Sequence, residues 1–374
     1  IHQISMVKII RANGIKKIVA KKKPKCYNSS EAQRCDFHTS LCFFFVIWQP
    51  GPRQCSIRGP GTKTVKPRRK EDEMKDVMKV STVAFNAKWG DKEANLNRMT
   101  GYIEAAAAEG SNLIVFPEMG LTGYDDEEEK PLKEKMQYKL AETVPGPSSE
   151  KIAELAKKLG VYVAYGFPER DAEKSDVIYN AACVCGPEGI IGSYRKIHLP
   201  YPEPHWAARG DKPFIFDTPW GPVALGICYD SYCFQELMRY YAAKGCRLYI
   251  NCTALAKCHG IALGSTTLEA GVITNQIYIV SANLAGKDLY NIFWGGASII
   301  GPSTNFWEAE YFAGYPFTDP KAIQNKMYTV TIDLTLASRE KFEPNALIGG
   351  RTDYRPAVYK ELMEDLLTDP KFQE

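Results

Sequence analysis

The chain has 374 residues, of which 45% are hydrophobic and 24% are charged, a composition typical of a folded globular protein rather than a fibrous or low-complexity one. Its net charge of +3 is unevenly distributed, because residues 1–70 carry sixteen Lys and Arg against two acidic residues. Residues 71–374 therefore have a net charge of −11. The two parts are different kinds of sequence, and neither contains an apolar run long enough to span a bilayer.

The first part, residues 1–75, shows no sustained helical or strand period. It combines basic clusters with an apolar run at residues 41–48, which is too short to cross a membrane. Basic clusters can bind nucleic acid or an anionic membrane surface, but we expect neither partner. We predict a basic, disordered N-terminal extension over residues 1–75 and one globular domain over residues 76–374.

Regular secondary structure begins near residue 77. An alanine-rich helix is predicted to end at Gly110 and an amphipathic helix at Gly160, since glycine commonly closes helices. The acidic residues 125–129 are interpreted as a solvated surface. In this half of the chain the predicted helices cover residues 91–108 and 148–159, and the predicted strands cover residues 80–85, 113–116, 161–166, 177–185 and 190–194, the last two forming a hairpin.

The second half continues the alternation of strands and helices. An apolar strand over residues 222–227 ends abruptly at Cys228, and a helix is predicted over residues 231–243. Further strands are predicted at residues 247–251, 277–282, 295–301 and 327–332, and a further helix at residues 263–275. Because strands and helices are mixed throughout, the fold class is α/β or α+β with helices covering the sheets.

Cys228 has the setting of a reactive thiol. A turn between a strand and a helix exposes the sulfur at the edge of the sheet, and a helix N-terminus stabilises negative charge there. The alternative is a buried apolar cysteine, as most free cysteines are. The chain has eleven cysteines with no repeated Cys-x-x-Cys pair, so we expect reduced thiols, a cytoplasmic protein and no metal site.

Two further polar residues also follow predicted strands. Glu118 comes after the strand that ends at Phe116, and Lys196 comes after the strand that ends at Tyr194. In layered α/β folds, residues at strand ends converge on a common crevice. There a thiol can attack an sp or sp² carbon while a carboxylate carries the proton and an ammonium stabilises the oxyanion. Each residue also has an ordinary alternative, with Glu118 as a cap, Lys196 on the surface and Cys228 in the core.

These residues lie in segments that resemble the three signature segments of the nitrilase superfamily, the carbon–nitrogen hydrolases. The segments occur in the family's order, and the intervals of 78 residues from Glu118 to Lys196 and 32 residues from Lys196 to Cys228 also match. The resemblance covers residues 77–360. The segments that carry it are Phe116-Pro117-Glu118, Tyr194-Arg195-Lys196-Ile197-His198-Leu199 and Ile227-Cys228-Tyr229-Asp230, supported by Ile178-Tyr179-Asn180, Ala282-Asn283 and the run from Gly295 to Pro302.

The resemblance implies a four-layer αββα sandwich that assembles as a homodimer or a larger homo-oligomer. It also implies a catalytic group in which Cys228 is the nucleophile, Glu118 the general base and Lys196 the residue that stabilises the tetrahedral intermediate. No metal and no organic cofactor are implied.

The resemblance further implies residues that position the substrate. The candidates are Glu203, Tyr229 and Asn283. Glu203 would also hold the lysine of the catalytic group, and its alternative role is that of an ordinary carboxylate in a proline-rich loop.

The residues around the cysteine favour amide chemistry. Cys228-Tyr229-Asp230 is the form common in family members that act on amides and carbamoyl compounds, whereas nitrilases tend toward Cys-Trp-Glu. We predict hydrolysis of a small amide or carbamoyl compound through a cysteine thioester acyl-enzyme, with release of ammonia or an amine. The alternatives are a nitrilase, which converts a nitrile to a carboxylic acid, and a catalytically silent binding protein of the same fold.

Overall fold

The computed structural model describes Lys8–Ala12, Ile15–Val19 and residues 74–305, 307–323 and 326–373. Lys8–Ala12 (β1) pairs antiparallel with Ile15–Val19 (β2), a hairpin that the sequence analysis did not predict. This hairpin belongs to a different unit from the residues that follow position 67. The apolar run at residues 41–48 lies outside the described residues, and the disorder of residues 1–75 stays a prediction.

The second unit contains fourteen strands and seven helices among its described residues. The strands are Val77–Val83 (β3), Leu113–Val115 (β4), Tyr162–Arg170 (β5), Ile178–Gly186 (β6), Gly189–Arg195 (β7), Phe214–Thr218 (β8), Gly221–Ile227 (β9), Leu248–Thr253 (β10), Tyr278–Asn283 (β11), Ala285–Lys287 (β12), Ile292–Trp294 (β13), Ser298–Pro302 (β14), Ala309–Ala313 (β15) and Met327–Asp333 (β16). The helices are Lys92–Ala108 (α1), Met136–Leu140 (α2), Pro147–Leu159 (α3), Tyr229–Cys233 (α4), Gln235–Ala243 (α5), Ile261–Asn275 (α6) and Pro356–Leu366 (α7).

Two six-stranded sheets form the centre of this unit. One has the order β16-β3-β4-β5-β6-β7 and the other β15-β14-β11-β10-β9-β8. In each sheet three adjacent strands are parallel, β3-β4-β5 in the first and β9-β10-β11 in the second. Every other pair of neighbouring strands is antiparallel. The predicted hairpin is present as β6 and β7.

Three apolar cores define four layers. Val115 of the first sheet and Leu225 of the second belong to one buried cluster, which fills the space between the sheets. On the outer face of the first sheet, Met99 of α1 and Ile152 of α3 are fully buried. On the outer face of the second, α5 and α6 bury Met238 and other apolar side chains. The αββα sandwich is therefore confirmed, with each sheet burying both faces as parallel strands do.

Two sequence interpretations are wrong. The helix predicted over residues 231–243 is interrupted at Phe234, whose extended backbone (φ −128°, ψ 91°) separates α4 from α5. The acidic residues 125–129 are not all solvated, because Asp125 and Asp126 are buried. Asp126 forms an ion pair with the equally buried Lys135 at 2.7 Å. Periodicity alone could not reveal either feature, because the apolar pattern continues across Phe234, and Asp125 and Asp126 also contact Tyr290 far along the chain.

No helix among the described residues is long and apolar enough to cross a membrane. The ends of the central parallel strands carry the residues that the sequence analysis selected. Glu118 follows β4, and Cys228 follows β9 directly. The fold thus presents both residues at strand ends, one from each sheet.

Candidate active site

Glu118 lies in a tight turn that packs directly on β5. Met119 beside it has a positive φ of 51°, and the N–H of Leu121 donates to the carbonyl of Gly166 at 3.1 Å. A Cβ atom at Gly166 would come within 2.5 Å of the Glu118 Cα, so a glycine is required for the turn to approach the strand this closely. Glu118 is completely buried.

Lys196 follows β7 and points into the same buried space. Its Nζ donates to Oε1 of Glu118 at 2.7 Å and to Oε1 of Glu203 at 2.6 Å. All three side chains are essentially inaccessible to solvent. Those two carboxylates are the partners of Nζ among the described residues, so one of the three ammonium protons is left for another acceptor.

Two residues without a predicted role complete this network. The Nδ2 of Asn180 donates to Oε1 of Glu118 at 2.7 Å and to Oε2 of Glu203 at 3.1 Å. The hydroxyl of Tyr124 donates to Oε1 of Glu203 at 2.7 Å. Asn180 belongs to a segment that matches the family, but its spacing gave no reason to connect it with a carboxylate. Tyr124 follows a glycine turn and carries no sequence signal for this contact.

The charges of the network shift the pKa values of its own side chains. Burial by itself lowers the pKa of Lys196, but the negative charges of Glu118 and Glu203 outweigh it, so the pKa lies above the ordinary value and the lysine stays protonated. Burial raises the pKa of Glu203 to about 7; the charge of Lys196 opposes that rise and the charge of Glu118 adds to it. The site therefore holds a permanent cation between two carboxylates, one of which titrates near neutral pH.

Cys228 occupies a strained turn between β9 and α4. Its φ of 46° and ψ of −98° are unfavourable for a residue with a Cβ, and such strain is found at functional sites. The turn is held by the N–H of Cys228, which donates to the carbonyl of Cys252 at 3.0 Å and to Oδ1 of Asn251 at 3.2 Å. Cys228 is partly accessible, unlike the buried Cys183, Cys185, Cys246 and Cys252.

The thiol of Cys228 is electrostatically connected to the network. Desolvation is the largest effect and raises its pKa well above the ordinary value; the charge of Glu118 adds to the rise, and the charge of Lys196 opposes it. The expected stabilisation by a helix N-terminus is not decisive, because α4 has only five residues and desolvation dominates. The resting sulfur is therefore a thiol, and a base is needed to make it nucleophilic.

Asp230 joins the cysteine turn to the lysine loop. Its Oδ1 accepts from the backbone N–H of His198 at 2.9 Å and lies 2.8 Å from the ring Nδ1 of the same residue. Its Oδ2 accepts from the hydroxyl of Tyr194 at 2.8 Å. Asp230 is fully buried, and these bonds fix the position of Lys196 relative to Cys228. In the sequence these residues are only parts of two separate motifs, since their contact is tertiary.

The remaining predicted residues lie in different settings. Glu203 is part of the network, whereas Tyr229 is partly exposed and packs edge-on against Phe234 with ring centroids 5.1 Å apart. The side chain of Asn283 bonds to backbone groups, accepting from the N–H of Leu255 at 2.8 Å and donating to the carbonyl of Gly295 at 2.5 Å. The structure thus brings Glu118, Lys196, Cys228 and Glu203 together. The side chain of Asn283 instead connects the loops at Leu255 and Gly295.

Two oxygens of this buried network, Oε2 of Glu118 and Oδ1 of Asn180, have no hydrogen-bond partner among the described residues. Oε2 of Glu118 is buried and makes no hydrogen bond among the described residues, although Oε1 accepts from both Lys196 and Asn180. A buried carboxylate oxygen without a donor is costly. It is suited to receive a proton, whereas the third N–H of Lys196 is suited to contact a developing oxyanion. No group of three His, Cys, Asp or Glu residues among the described residues could hold a metal ion.

The sequence model of the family described as carbon-nitrogen hydrolase matches residues 79–308. The chain belongs to this family. The family match confirms the prediction that the protein is a hydrolase of carbon–nitrogen bonds, and it includes every residue of the buried network.

Individual relatives agree with this assignment. The chain is 33% identical over 223 residues to the omega-amidase NIT2 of Homo sapiens, covering 56% of this carbon–nitrogen hydrolase and 76% of the relative. It is 29% identical over 272 residues to a nitrilase of Pyrococcus abyssi, covering 71% of this chain and 99% of the relative.

Solved structures support the same fold. An amidase from Nesterenkonia sp. matches with a TM-score of 0.60 at 19% identity, covering 76% of this chain and 96% of the amidase. Another structure of the amidase from strain AN1, with a Glu-to-Gln substitution, shows covalent addition of the acetamide moiety of fluoroacetamide at its active site cysteine. At this identity the likeness concerns the αββα architecture.

Proposed function

We propose that this carbon–nitrogen hydrolase cleaves a small amide or carbamoyl compound through a thioester on Cys228. The observation that carries the proposal is the unpartnered Oε2 of Glu118, buried beside a fully buried ammonium and next to a thiol whose pKa is raised. In this proposal Glu118 is the general base, Lys196 the oxyanion stabiliser and Glu203 the residue that holds the lysine and the substrate.

The first half of the reaction forms the acyl-enzyme. The Cys228 S–H proton passes to Oε2 of Glu118 while the sulfur attacks the amide carbon, and the carbonyl electrons move to oxygen. The third N–H of Lys196 and the backbone N–H of Tyr229, at the start of α4, donate to this oxyanion. When the tetrahedral intermediate collapses, the C–N bond breaks and the Glu118 carboxyl returns its proton to the nitrogen, which leaves as ammonia or an amine.

The second half releases the acid. Glu118, again ionised, takes a proton from a water molecule that attacks the thioester carbon. Collapse of the second intermediate breaks the C–S bond and returns the proton to the Cys228 sulfur. Lys196 keeps its charge throughout, because its pKa is raised by the two neighbouring carboxylates. The only proton that shuttles is the one carried by Glu118.

Amides are the preferred substrates for two reasons. The omega-amidase NIT2 sequences are about one third identical to this chain, and the cysteine is followed by Tyr229-Asp230. The nitrilase of Pyrococcus abyssi, aligned over 99% of its length, supports nitrile hydrolysis as the second candidate. Tyr229 and Asn283 stay candidates for substrate positioning, with Asn283 acting through the loops at Leu255 and Gly295.

A substrate panel combined with mass spectrometry tests this function. The panel should pair each amide with its nitrile, include carbamoyl amino acids, and measure ammonia release. We expect release from amides or carbamoyl compounds, and an acyl adduct on Cys228 after rapid quenching that is absent in Cys228→Ala. Release from nitriles alone would favour the nitrilase, and the absence of any adduct or release across the panel would contradict the proposal.

Two properties of the whole protein are also proposed. The seven cysteines of the described part of the chain are free thiols, which supports a reducing, cytoplasmic location. We propose a homodimer or larger homo-oligomer on the basis of the family resemblance alone. Sedimentation equilibrium would test the assembly, and a monomer at all concentrations would contradict it.

A further inference from the structure

Thr253 carries a buried hydroxyl with no assigned role. The residue is completely buried at the end of β10, and its Oγ1 makes no hydrogen bond among the described residues. An unsatisfied hydroxyl in this setting costs on the order of 1–3 kcal/mol. Such a group therefore requires an explanation.

The position of Thr253 is fixed relative to the cysteine turn. β10 runs parallel to β9 with Cys252 opposite Ile227, so Thr253 and Cys228 each occupy the next position beyond that pair. The Cys228 N–H donates to the Cys252 carbonyl at 3.0 Å. The hydroxyl of Thr253 and the N–H of Ala254 both face the sulfur and lower the pKa of the thiol, against the larger effect of desolvation.

Two other polar groups lie behind the cysteine: the Tyr232 hydroxyl, which also faces the Thr253 hydroxyl, and the amide of Asn251, which is already occupied. Oδ1 of Asn251 accepts from the N–H of Cys228 and from the hydroxyl of Ser231, and its Nδ2 donates to the hydroxyls of Tyr232 at 3.3 Å and Ser281 at 3.0 Å. This network braces the strained turn. Asn251 has no bonding capacity left, so it cannot respond to a charge that develops on sulfur.

We propose that the Thr253 hydroxyl donates a hydrogen bond to the Cys228 sulfur as the thiol proton passes to Glu118, and so stabilises the thiolate. No bond to the threonine forms or breaks: the S–H proton moves to Oε2 of the carboxylate, and the O–H of threonine only reorients. The inference rests on the proposed role of Cys228 as nucleophile. It explains why a hydroxyl with no standard hydrogen bond among the described residues is held near the sulfur.

Thr253→Val and Thr253→Ser test the role of the hydroxyl. Valine keeps the branched shape and removes the O–H, whereas serine keeps the O–H. The rate of Cys228 alkylation by iodoacetamide should be measured between about pH 8 and pH 9.5 by peptide-resolved mass spectrometry, because this rate follows the thiolate fraction. The other six free cysteines of the described residues serve as internal controls in each digest.

We expect Cys228 in Thr253→Val to react about tenfold more slowly at each pH, corresponding to about one unit of pKa, while Thr253→Ser reacts like the wild type. With an amide substrate, kcat should fall by a similar factor and KM should change less than about twofold, since the hydroxyl would act on the nucleophile and not on bound substrate.

Two results would overturn the inference. Wild-type alkylation in Thr253→Val would show that the hydroxyl does not assist the thiolate, and a raised KM with unchanged kcat would assign it to substrate binding. Faster labelling of the buried control cysteines would reveal unfolding of the valine variant, and Thr253→Ala would then replace it in the same assay. Because alkylation requires no turnover, this test can fail or succeed independently of the amide-hydrolase proposal.

Discussion

Two buried lysines in this protein form ion pairs of similar length with different consequences. Lys135 donates to Oδ2 of Asp126 at 2.7 Å and to the carbonyls of Glu127 and Glu128 at 2.8 and 3.3 Å, so all its protons are used. Lys196 lies between two carboxylates, and one of its Nζ protons has no acceptor among the described residues. The arrangement around Lys135 pairs one cation with one anion and gives every Nζ proton an acceptor, as expected of an ion pair with a structural role.

The second arrangement, around Lys196, leaves some hydrogen-bonding groups of the described residues unused. It carries one cation against two acids. Oε2 of Glu118 has no partner in the part of the chain that the structure describes, and burial raises the pKa of Glu203 to about 7. Unsatisfied capacity of this kind is expected where substrate and protons must be received. The two ion pairs resemble each other in burial and distance, so these do not separate a structural pair from the catalytic pair proposed around Lys196; the unused donors and acceptors of the described residues do.

Removing one carboxylate from each pair should give the largest contrast. Glu118→Gln should reduce kcat for an amide by about 10³-fold or more, because a general base contributes about 10²–10⁴-fold and the Cys228 thiol cannot ionise without one. Asp126→Asn should leave kcat within about threefold of the wild type. Steady-state kinetics on folded protein checks both. Near wild-type turnover in Glu118→Gln would remove this residue from the mechanism.

Replacing each lysine by methionine should separate turnover from stability. Lys196→Met should lower kcat by about 10²–10³-fold, the cost of losing one oxyanion donor. Both variants leave buried carboxylates unpaired and should lower the free energy of unfolding, by about 3 kcal/mol for Lys135→Met, but Lys135→Met should keep kcat of the folded protein within about threefold of the wild type. Kinetics and urea denaturation of both variants provide the measurement. Equal loss of kcat in the two variants would show that the contrast between the pairs is not functional.

The titration of Glu203 should appear in the pH dependence. Below pH 7 its carboxyl is protonated and holds Lys196 less firmly, so kcat/KM should rise with pH through a step near 7. Glu203→Gln should lose this step. The folded pKa is raised from 4.5, so this group contributes stability below pH 4.5 that is lost as pH rises through 7, and Glu203→Gln should flatten that decline. An unchanged step in the variant would assign the ionisation elsewhere.

The smallest effect is expected from Tyr124→Phe. The variant removes the hydroxyl that donates to Glu203 at 2.7 Å and keeps the ring against Phe293, whose centroid lies 6.0 Å away. Because one charge-assisted bond is lost from a carboxylate that keeps its bonds to Lys196 and Asn180, kcat should fall by about three- to tenfold. Tyr138→Phe, which removes a hydroxyl bonded to the exposed Asp176, is the matched control. Equal kcat in both variants would exclude a positioning role for Tyr124.

Most of the fold followed from local pattern. The predicted helix near residues 91–108 is observed as α1, with Asp91 at its N-cap accepting from the N–H of Ala94 at 3.1 Å, and the glycine at position 160 closes α3 in the left-handed region. The break at Phe234 was not predictable, because the helical pattern of apolar residues continues across it. The burial of Asp125 was not predictable either, since its partners Tyr290 and Asn291 lie 165 residues or more away.

The amino-acid sequence by itself determined the family, the layered architecture and the selection of a thiol, an ammonium and two carboxylates, because these depend on residue type, order and spacing. Tertiary structure decided what those groups can do. It made the Cys228 thiol a weak acid by desolvation, joined Lys196 to both Glu118 and Glu203, and placed Thr253 beside the sulfur. The physical reason is that pKa values and hydrogen-bond partners depend on burial and on contacts between residues far apart in the chain.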